Sequence, residues 1–399
     1  MDVTIYPSLL AGEITAIPSK SQAHRLLICA AFADGPTVLD CPQTNRDIEA
    51  TADCLRALGA KILRSDTGYT VYPMEQIPQT AVLPCGESGS TLRFMLPIVG
   101  ALGVDTIFEM EARLPQRPLS PLWEEMERMG CSLTRPTANT LRCRGKLKGG
   151  EYVINGGVSS QFITGLLFAG VLLQEDCHIR VTGALESAPY VTMTQNALAL
   201  FGADTRDFVI PGGQTLRSPG SVTIEGDWSN GAFFLAAQTL GSNLEVLNLD
   251  PHSPQGDRAV AEWLPRLRQA HCTVDATDIP DLVPILSVVA GAYHGAVFTG
   301  IRRLRLKETD RVETVCAMLK ALGAQATATE DTLSVTPASY QGGTIDATAD
   351  HRIAMSAAIA ATVAQGPVTV INAHSVEKSY PSFWAEYRRL GGNYEQHIR

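Results

Sequence analysis

Residues Leu55–Leu63 read LRALGAKIL, in which an apolar residue and a glycine close one helix and lead straight into a strand. The same join returns as MERMGCSL (Met126–Leu133), LALFGADT (Leu198–Thr205), RQAHCTV (Arg268–Val274), LKALGAQA (Leu319–Ala326) and YRRLGGNY (Tyr387–Tyr394). Gly59, Gly130, Gly202, Gly323 and Gly391 stand where a helix C-terminus wants a left-handed residue, and His271 is the exception. Copies recur roughly every 70 residues, apart from one shorter step of about 50.

A second helix is predicted ahead of each join, opening on a polar cluster behind a strand-like segment. The six openings are EITAIPSKSQAHR, AVLPCGESGSTLR, YVINGGVSSQF, VTIEGDWSNGAF, TDIPDLVPI and TIDATADHRIAM. The stretches that follow, such as LLICAAFA and ITGLLFAGVLL, are apolar all round and predict central, buried helices. Each is followed by a strand and a polar segment: TNRD, RLPQR, ESAPY, SPQGD, LKETDR and VEKSYP. The fold class is α/β, with one unit of strand, buried helix, strand, outer helix and hairpin used six times. The first strand, Glu13–Ile17, lies at the N-terminus and the last copy lacks a following strand, so the termini are expected to close one unit together. Three repeats per domain give residues 20–227 as a domain inserted into another formed by 1–19 and 228–399.

With 399 residues, 45% of them hydrophobic, the chain can bury large cores. Its net charge of −9 and pI near 5.4 argue against a nucleic-acid or membrane-surface role. Nine scattered cysteines fit neither a disulfide framework nor a structural zinc site, and they suit a reducing cytoplasm. The N-terminus does not read as a signal peptide. The uncharged run Leu282–Ile301 has the length of a membrane span, but Pro284, His294 and its glycines favour a buried helix, a turn and a strand.

An acidic protein can bind an anion only through locally placed cations and helix N-termini, and six buried helices offer six such ends. Lys20, Ser21 and Arg25 fall at the first, Gly86, Gly89 and Arg93 at the second, and Ser159, Ser160 and Gln161 at the third. Each cluster also fits an ordinary cap or turn. Asp281 has the position of an N-cap. Lys307 and Arg311, four apart, are expected on one helical face, with Glu308 pairable to Arg311. His351 and Arg352 at a helix start oppose the local dipole, which requires a compensating anion.

Taken in order, PSKSQAHR, GESGSTLR, LPQRP, VSSQF, SAPY, IPD, LKETDR, DHR and EKSYP resemble the 5-enolpyruvylshikimate-3-phosphate synthase family from about residue 15 to about 385. The resemblance implies the two-domain enolpyruvyl transferase fold, an inside-out α/β barrel with three repeats per domain and the active site between them. It implies transfer of the enolpyruvyl group of phosphoenolpyruvate to the 5-hydroxyl of shikimate 3-phosphate, with no metal or cofactor. By motif, Lys20, Ser21, Arg25, Ser159, Ser160, Gln161, Ser187, Tyr190, Asp281 and Lys307 would hold shikimate 3-phosphate. Lys20, Gly89, Arg117, Gln161, Arg311, Arg352 and Lys378 would hold phosphoenolpyruvate. Asp281 and Glu308 would carry protons, with Lys20 and His351 assisting. Glyphosate would be a competing ligand, and a cytoplasmic monomer with no nucleic-acid or membrane partner is expected.

Two positions depart from the family pattern: Glu87 stands where many members have Asn, and Arg303 stands where some have an Asn that contacts substrate. The related UDP-N-acetylglucosamine enolpyruvyl transferases usually carry a reactive Cys in the loop matching RLPQRP and an Asn after the first Lys. Here that loop has no Cys, and Ser21 follows Lys20. A non-catalytic anion-binding protein is the other alternative, and Asp281 and Glu308 weigh against it, because carboxylates facing an anionic ligand weaken binding unless they carry protons.

Overall fold

The computed structural model describes residues 1–348 and 350–397, so Ala349 of the sixth helix opening lies outside it. The chain starts with strands β1 (Asp2–Tyr6) and β2 (Ala11–Thr15). It divides into two compact units, a split unit of Met1–Ile17 with Glu225–Arg399 and an inserted unit of Pro18–Ile224.

The inserted unit makes three passes. The first is α1 (Lys20–Ala31), β3 (Thr37–Asp40), α2 (Arg46–Ala57), β4 (Lys61–Ser65) and β5 (Gly68–Tyr72). The second is β6 (Thr80–Gly86), α3 (Gly89–Leu102), β7 (Asp105–Met110), α4 (Leu122–Arg128), β8 (Cys131–Thr134) and β9 (Thr140–Gly145). The third is β10 (Gly150–Asn155), α5 (Ser160–Leu172), β11 (Cys177–Thr182), α6 (Ala188–Leu200) and β12 (Val209–Ile210), after which β13 (Ser221–Thr223) ends the unit. Its sheets run β13-β3-β5-β4, β6-β7-β9-β8 and β10-β11-β12.

The split unit continues with α7 (Trp228–Thr239), β14 (Asn243–Leu247), α8 (Val260–Gln269) and β15 (Cys272–Asp275). Then come α9 (Val283–Ala292), β16 (Ala296–Thr299), α10 (Arg311–Ala321), β17 (Gln325–Ala328) and β18 (Thr332–Thr336). It closes with β19 (Gly343–Asp346), α11 (His351–Ala361), β20 (Val368–Ile371), α12 (Phe383–Arg389) and β21 (Asn393–His397). Its sheets run β14-β2, β15-β16-β18-β17 and β19-β20-β1-β21.

Helices α1, α3 and α5 are buried in one unit, α7, α9 and α11 in the other, each set inside a single hydrophobic core. The even-numbered helices lie outside, burying one face each, as α2 does with Ile48, Ala52 and Leu55. In four passes the buried helix links two parallel, paired strands, β6 with β7, β10 with β11, β15 with β16 and β19 with β20. The other two exchange strands: β2 precedes α1 but pairs with β14, and β13 precedes α7 but pairs with β3. These are the strands on which the chain passes from one unit to the other.

The predicted opening strand at Glu13–Ile17 therefore lies two residues earlier. The termini close one sheet through a strand the repeat did not announce, β1, which pairs antiparallel with β20 and β21. The five expected glycines have φ of 107, 115, 82, 88 and 95° at Gly59, Gly130, Gly202, Gly323 and Gly391. After α8 the cap Ala270 is already extended at φ −158°, so His271 needs no left-handed turn. The uncharged run holds α9 and β16, and among the described residues no helix is long and apolar enough to cross a membrane.

Helices α3 and α5 approach closely because Gly165 has no side chain. A Cβ there would lie 2.3 Å from the carbonyl oxygen of Arg93 and 3.0 Å from Pro97 Cγ. Backbone cannot swing aside, so Gly165→Ala is expected to lower the free energy of urea unfolding by about 1–3 kcal/mol. Gly170→Ala, whose Cβ would come closest to the side-chain end of Ile210, at 2.6 Å from Cδ1, is expected to cost less.

Candidate active site

In the inserted unit the three buried helices are capped by neutral hydroxyls. Ser19 accepts from the amide of Gln22 at 3.4 Å, Ser88 from Thr91 at 3.3 Å and Ser159 from Gln161 at 3.3 Å. A neutral cap brings no negative charge of its own to the positive end of the helix, which therefore still favours an anion. Lys20, the first residue of α1, donates to Asp47 at 2.9 Å. Arg25 is buried; its Nε donates to Thr194 Oγ1 (2.9 Å) and its terminal nitrogens to the carbonyls of Ser21 (2.5 Å) and Tyr190 (2.8 Å). Burial pushes its guanidinium down to about 10. Ser187, at the start of α6, is buried and held at φ 56°, a strained conformation for a residue with a Cβ that is characteristic of functional positions.

Gly89 opens α3, and its missing side chain makes room for guanidinium groups. A Cβ there would lie 2.6 Å from Arg117 Nη1 and 3.0 Å from Arg93 Nη1. Arg93 donates to Gln161 Oε1 at 2.7 Å and to the Pro118 carbonyl at 3.2 Å, while Gln161 Nε2 donates to Ser90 Oγ at 2.9 Å. The glycine loop, the Arg117 loop and the Ser159–Gln161 cap are thus joined through Arg93. Behind them, a buried hydroxyl chain runs from His24 Nδ1 to Thr51 (2.7 Å), Thr91 (2.7 Å) and Ser88 (2.8 Å). Burial pushes His24 down to about 3, so it is neutral at physiological pH.

The split unit is organised differently. Arg311, fully buried, has all three guanidinium nitrogens on carboxylates: Nε on Asp350 (2.9 Å), Nη1 on Asp281 (2.8 Å) and Nη2 on Glu308 (2.6 Å). Asp281 also meets Arg352 at 3.0 Å and Lys307 at 3.5 Å, and Glu308 lies 3.8 Å from Lys378. Burial alone would raise the Asp281 carboxyl; Arg352, Lys307 and Arg311 more than reverse this and hold it well below the usual carboxylate range. Burial pushes the Lys307 ammonium down, against the pull of Asp281. His351, buried, is the first residue of α11.

Three expectations need correction. Asp281 caps no helix: the N-cap of α9 is Leu282, without a side-chain bond, and the carboxylate is spent on cations. Lys307 and Arg311 do not share a helical face, because Asp310 caps α10 by accepting from Glu313 and the helix begins only at Arg311. Glu308 and Arg311 pair as expected, across the bend. The six helix ends are not equivalent anion sites either, since Asp227 and Asp350 cap α7 and α11 with their own negative charge. Asp350, with Asp281, supplies the anion that Arg352 at a helix start requires, through a bond from the Arg352 amide at 3.0 Å.

Glu87 is half-buried, and Arg303 donates to the Thr277 carbonyl at 2.8 Å. From the sequence, Asp47 and Asp350 had no role, and Arg93 counted only as charge at a helix start. Asp350 was legible, since an Asp before a predicted helix start is a cap signal; the bonds of Asp47 and Arg93 cross 27 and 68 residues of chain, beyond any local pattern.

Removing one partner of a buried ion pair costs about 3–5 kcal/mol, because the other charge is left uncompensated. Arg311→Met is expected to lose about that much stability near neutral pH. A carboxyl held below its unfolded value contributes stability that is present above the unfolded value and lost as pH falls through the folded one. The deficit of the variant should therefore be full above about pH 4 and narrow only below it, where the wild type loses the Asp281 contribution, in urea titrations across pH.

The family described as EPSP synthase (3-phosphoshikimate 1-carboxyvinyltransferase) matches residues 6–278 and 265–387. The 3-phosphoshikimate 1-carboxyvinyltransferase of Clostridium kluyveri is 35% identical over 99% of this chain and 98% of its own length. The enzyme of the same name from Clostridium perfringens is 37% identical over 98% of both. A solved EPSP synthase from Acinetobacter baumannii shares the fold, with a TM-score of 0.80 at 23% identity over 99% of both chains. Full-length similarity at this level, on the two-unit, six-pass fold and the residues described above, means that the chain belongs to the EPSP synthase (3-phosphoshikimate 1-carboxyvinyltransferase) family.

Proposed function

We propose that the chain transfers the enolpyruvyl group of phosphoenolpyruvate to the 5-hydroxyl of shikimate 3-phosphate and releases inorganic phosphate, a step of aromatic amino-acid biosynthesis. The observation that carries this reading is the pair of carboxylates, Asp281 and Glu308, held on one guanidinium among Lys307, Arg352 and Lys378. Two anions lining an anion site weaken binding, and their presence makes sense when they move protons.

Addition requires a base for the 5-hydroxyl and an acid for the methylene carbon. The resulting tetrahedral ketal then loses phosphate as a proton leaves the new methyl group. Asp281 is the base. In the free protein its cations hold it too acidic for that work; once substrate phosphate and carboxylate share Arg352 and Lys307, its basicity rises. Glu308, on Arg311 and near Lys378, delivers and retrieves the carbon proton. Lys20 and His351 assist. Arg352, Lys378, Arg117, Lys20 and Arg311 stabilise charge moving onto the departing phosphate, and Gly89 and Gln161 are further phosphoenolpyruvate-binding residues of this reading. The Ser-capped helix ends, with Ser21, Arg25, Ser159, Ser160, Ser187 and Tyr190, hold shikimate 3-phosphate together with Lys307.

The reading extends to glyphosate as a competitor of phosphoenolpyruvate, and to a cytoplasmic monomer whose nine free thiols suit a reducing compartment. Phosphate release from shikimate 3-phosphate with phosphoenolpyruvate is the test. Release only when UDP-N-acetylglucosamine replaces shikimate 3-phosphate would overturn it, and binding without turnover of either pair would leave an anion-binding protein.

Glu308→Gln is expected to keep ligand affinity and lose about 10²- to 10⁴-fold in turnover, in single-turnover assays. Gly89→Ala is expected to fold normally, because the group it displaces is the flexible tip of Arg117. Its KM for phosphoenolpyruvate should rise by about tenfold, equivalent to about 1.4 kcal/mol, with a smaller change for shikimate 3-phosphate.

A further inference from the structure

One buried acid of the split unit has no part in the chemistry above. Asp257 ends the polar segment SPQGD (Ser253–Asp257) and is 1% exposed. The segment is fastened to the start of α7: the Trp228 amide donates to Gln255 Oε1 at 3.1 Å, and Gln255 Nε2 to the Gly226 carbonyl at 2.8 Å. Ser229 Oγ in the first turn of α7 donates to Asp257 Oδ2. The charged groups that act electrostatically on Asp257 are Asp281 before α9, Arg352 in the first turn of α11 and Asp227, the cap of α7. The three helices pack on one another, α9 and α11 meet at their starts where Arg352 donates to Asp281, and Ser229 ties Asp257 to the first turn of α7.

We infer that Asp257 is a positioning residue for the reaction, held by Ser229 and setting the orientation and charge of the Arg352–Asp281 pair. The inference rests on the roles proposed above for those two residues. Burial pushes the Asp257 carboxyl up to about 6, Asp281 adds to the rise, and Arg352 and the Ser229 hydroxyl oppose it. Above that value Asp257 is ionised, which strengthens the hold on Arg352 and disfavours a second negative charge nearby, so Asp281 becomes the better base. Below it the proton sits on Asp257 and both effects vanish. A buried group whose folded value is raised stabilises the fold when protonated, and that contribution is lost as pH rises through about 6. Asp257 is thus kept at a cost in stability at neutral pH, as befits a residue with work to do.

The experiment compares pH profiles of kcat/KM for phosphoenolpyruvate, and thermal unfolding, for wild type, Asp257→Asn and Ser229→Ala. At about pH 8, Asp257→Asn should lose about tenfold or more in kcat/KM, with a Tm equal to or above that of wild type, and should lack the acid limb near pH 6. Ser229→Ala, which removes a bond to the ionised form, should move that limb upward. Wild-type kcat/KM and an unchanged limb in Asp257→Asn overturn the inference alone, as does a loss of activity that follows a lowered Tm without any change of profile. If Asp257→Asn does not fold, the direction of the Ser229→Ala shift decides. Absence of turnover by the wild-type chain removes the functional reading and the inference with it.

Discussion

The guanidinium of Arg311 holds the split unit's chemistry in place. It ties together Asp281 ahead of α9, Glu308 on the bend before α10 and Asp350 at the cap of α11. Three buried or half-buried carboxylates on one face would repel one another; one delocalised, permanently charged, planar cation offsets that repulsion and fixes their geometry. Lysine, whose three donors sit on one compact ammonium, lacks the planar fork that spreads these three partners around Arg311. The proton carriers assigned above are therefore aimed by an arginine that has most of its donors committed within the protein.

The two units use the same helix geometry for opposite electrostatic ends. Serine caps on α1, α3 and α5 leave three positive helix ends neutralised by nothing of their own charge, beside Lys20, Arg25 and Arg117. Aspartate caps on α7 and α11 give the corresponding ends of the other unit a negative charge of their own, and at α11 that cap also holds Arg311. Strongly bound anions suit the first arrangement. Protons and transient charge suit the second, where every charge already has a partner that a substrate can compete for. An overall charge of −9 is no obstacle, because binding is decided within a few ångströms by these local ends.

Much of the site was legible because its residues sit at helix starts, and helix starts announce themselves through caps, glycines and prolines. PSKSQAHR, GESGSTLR, VSSQF and DHR could each be placed at the right end of the right helix. What could not be read was pairing. The sequence around Asp281 is that of an ordinary cap, and only its contact with Arg311 and Arg352, thirty and seventy-one residues away, shows where the carboxylate is spent. Arg93 looked like incidental charge, yet its bonds to Gln161 and Pro118 join three loops. Asp257 was visible only as the end of the polar segment SPQGD, because the groups that act on it come from α7, α11 and the residue Asp281 ahead of α9.

The repeat, the alternation of buried and outer helices and the five glycine turns follow from the sequence alone, because each depends on periodicity or on a backbone conformation that few residues tolerate. Tertiary structure decided the exchange of β2 and β13 and the closure of a sheet by β1, since strand pairing is a choice among similar edges that local sequence does not rank. It also decided which carboxylates are ionised and by whom. Charge is a property of the surroundings: Asp281 and Asp257 are the same residue in chemistry, and one is driven below the usual range while the other rises to about 6. Burial raises both; Arg352, Lys307 and Arg311, arriving from distant parts of the chain, pull Asp281 back down, while the Asp281 charge adds to the rise of Asp257.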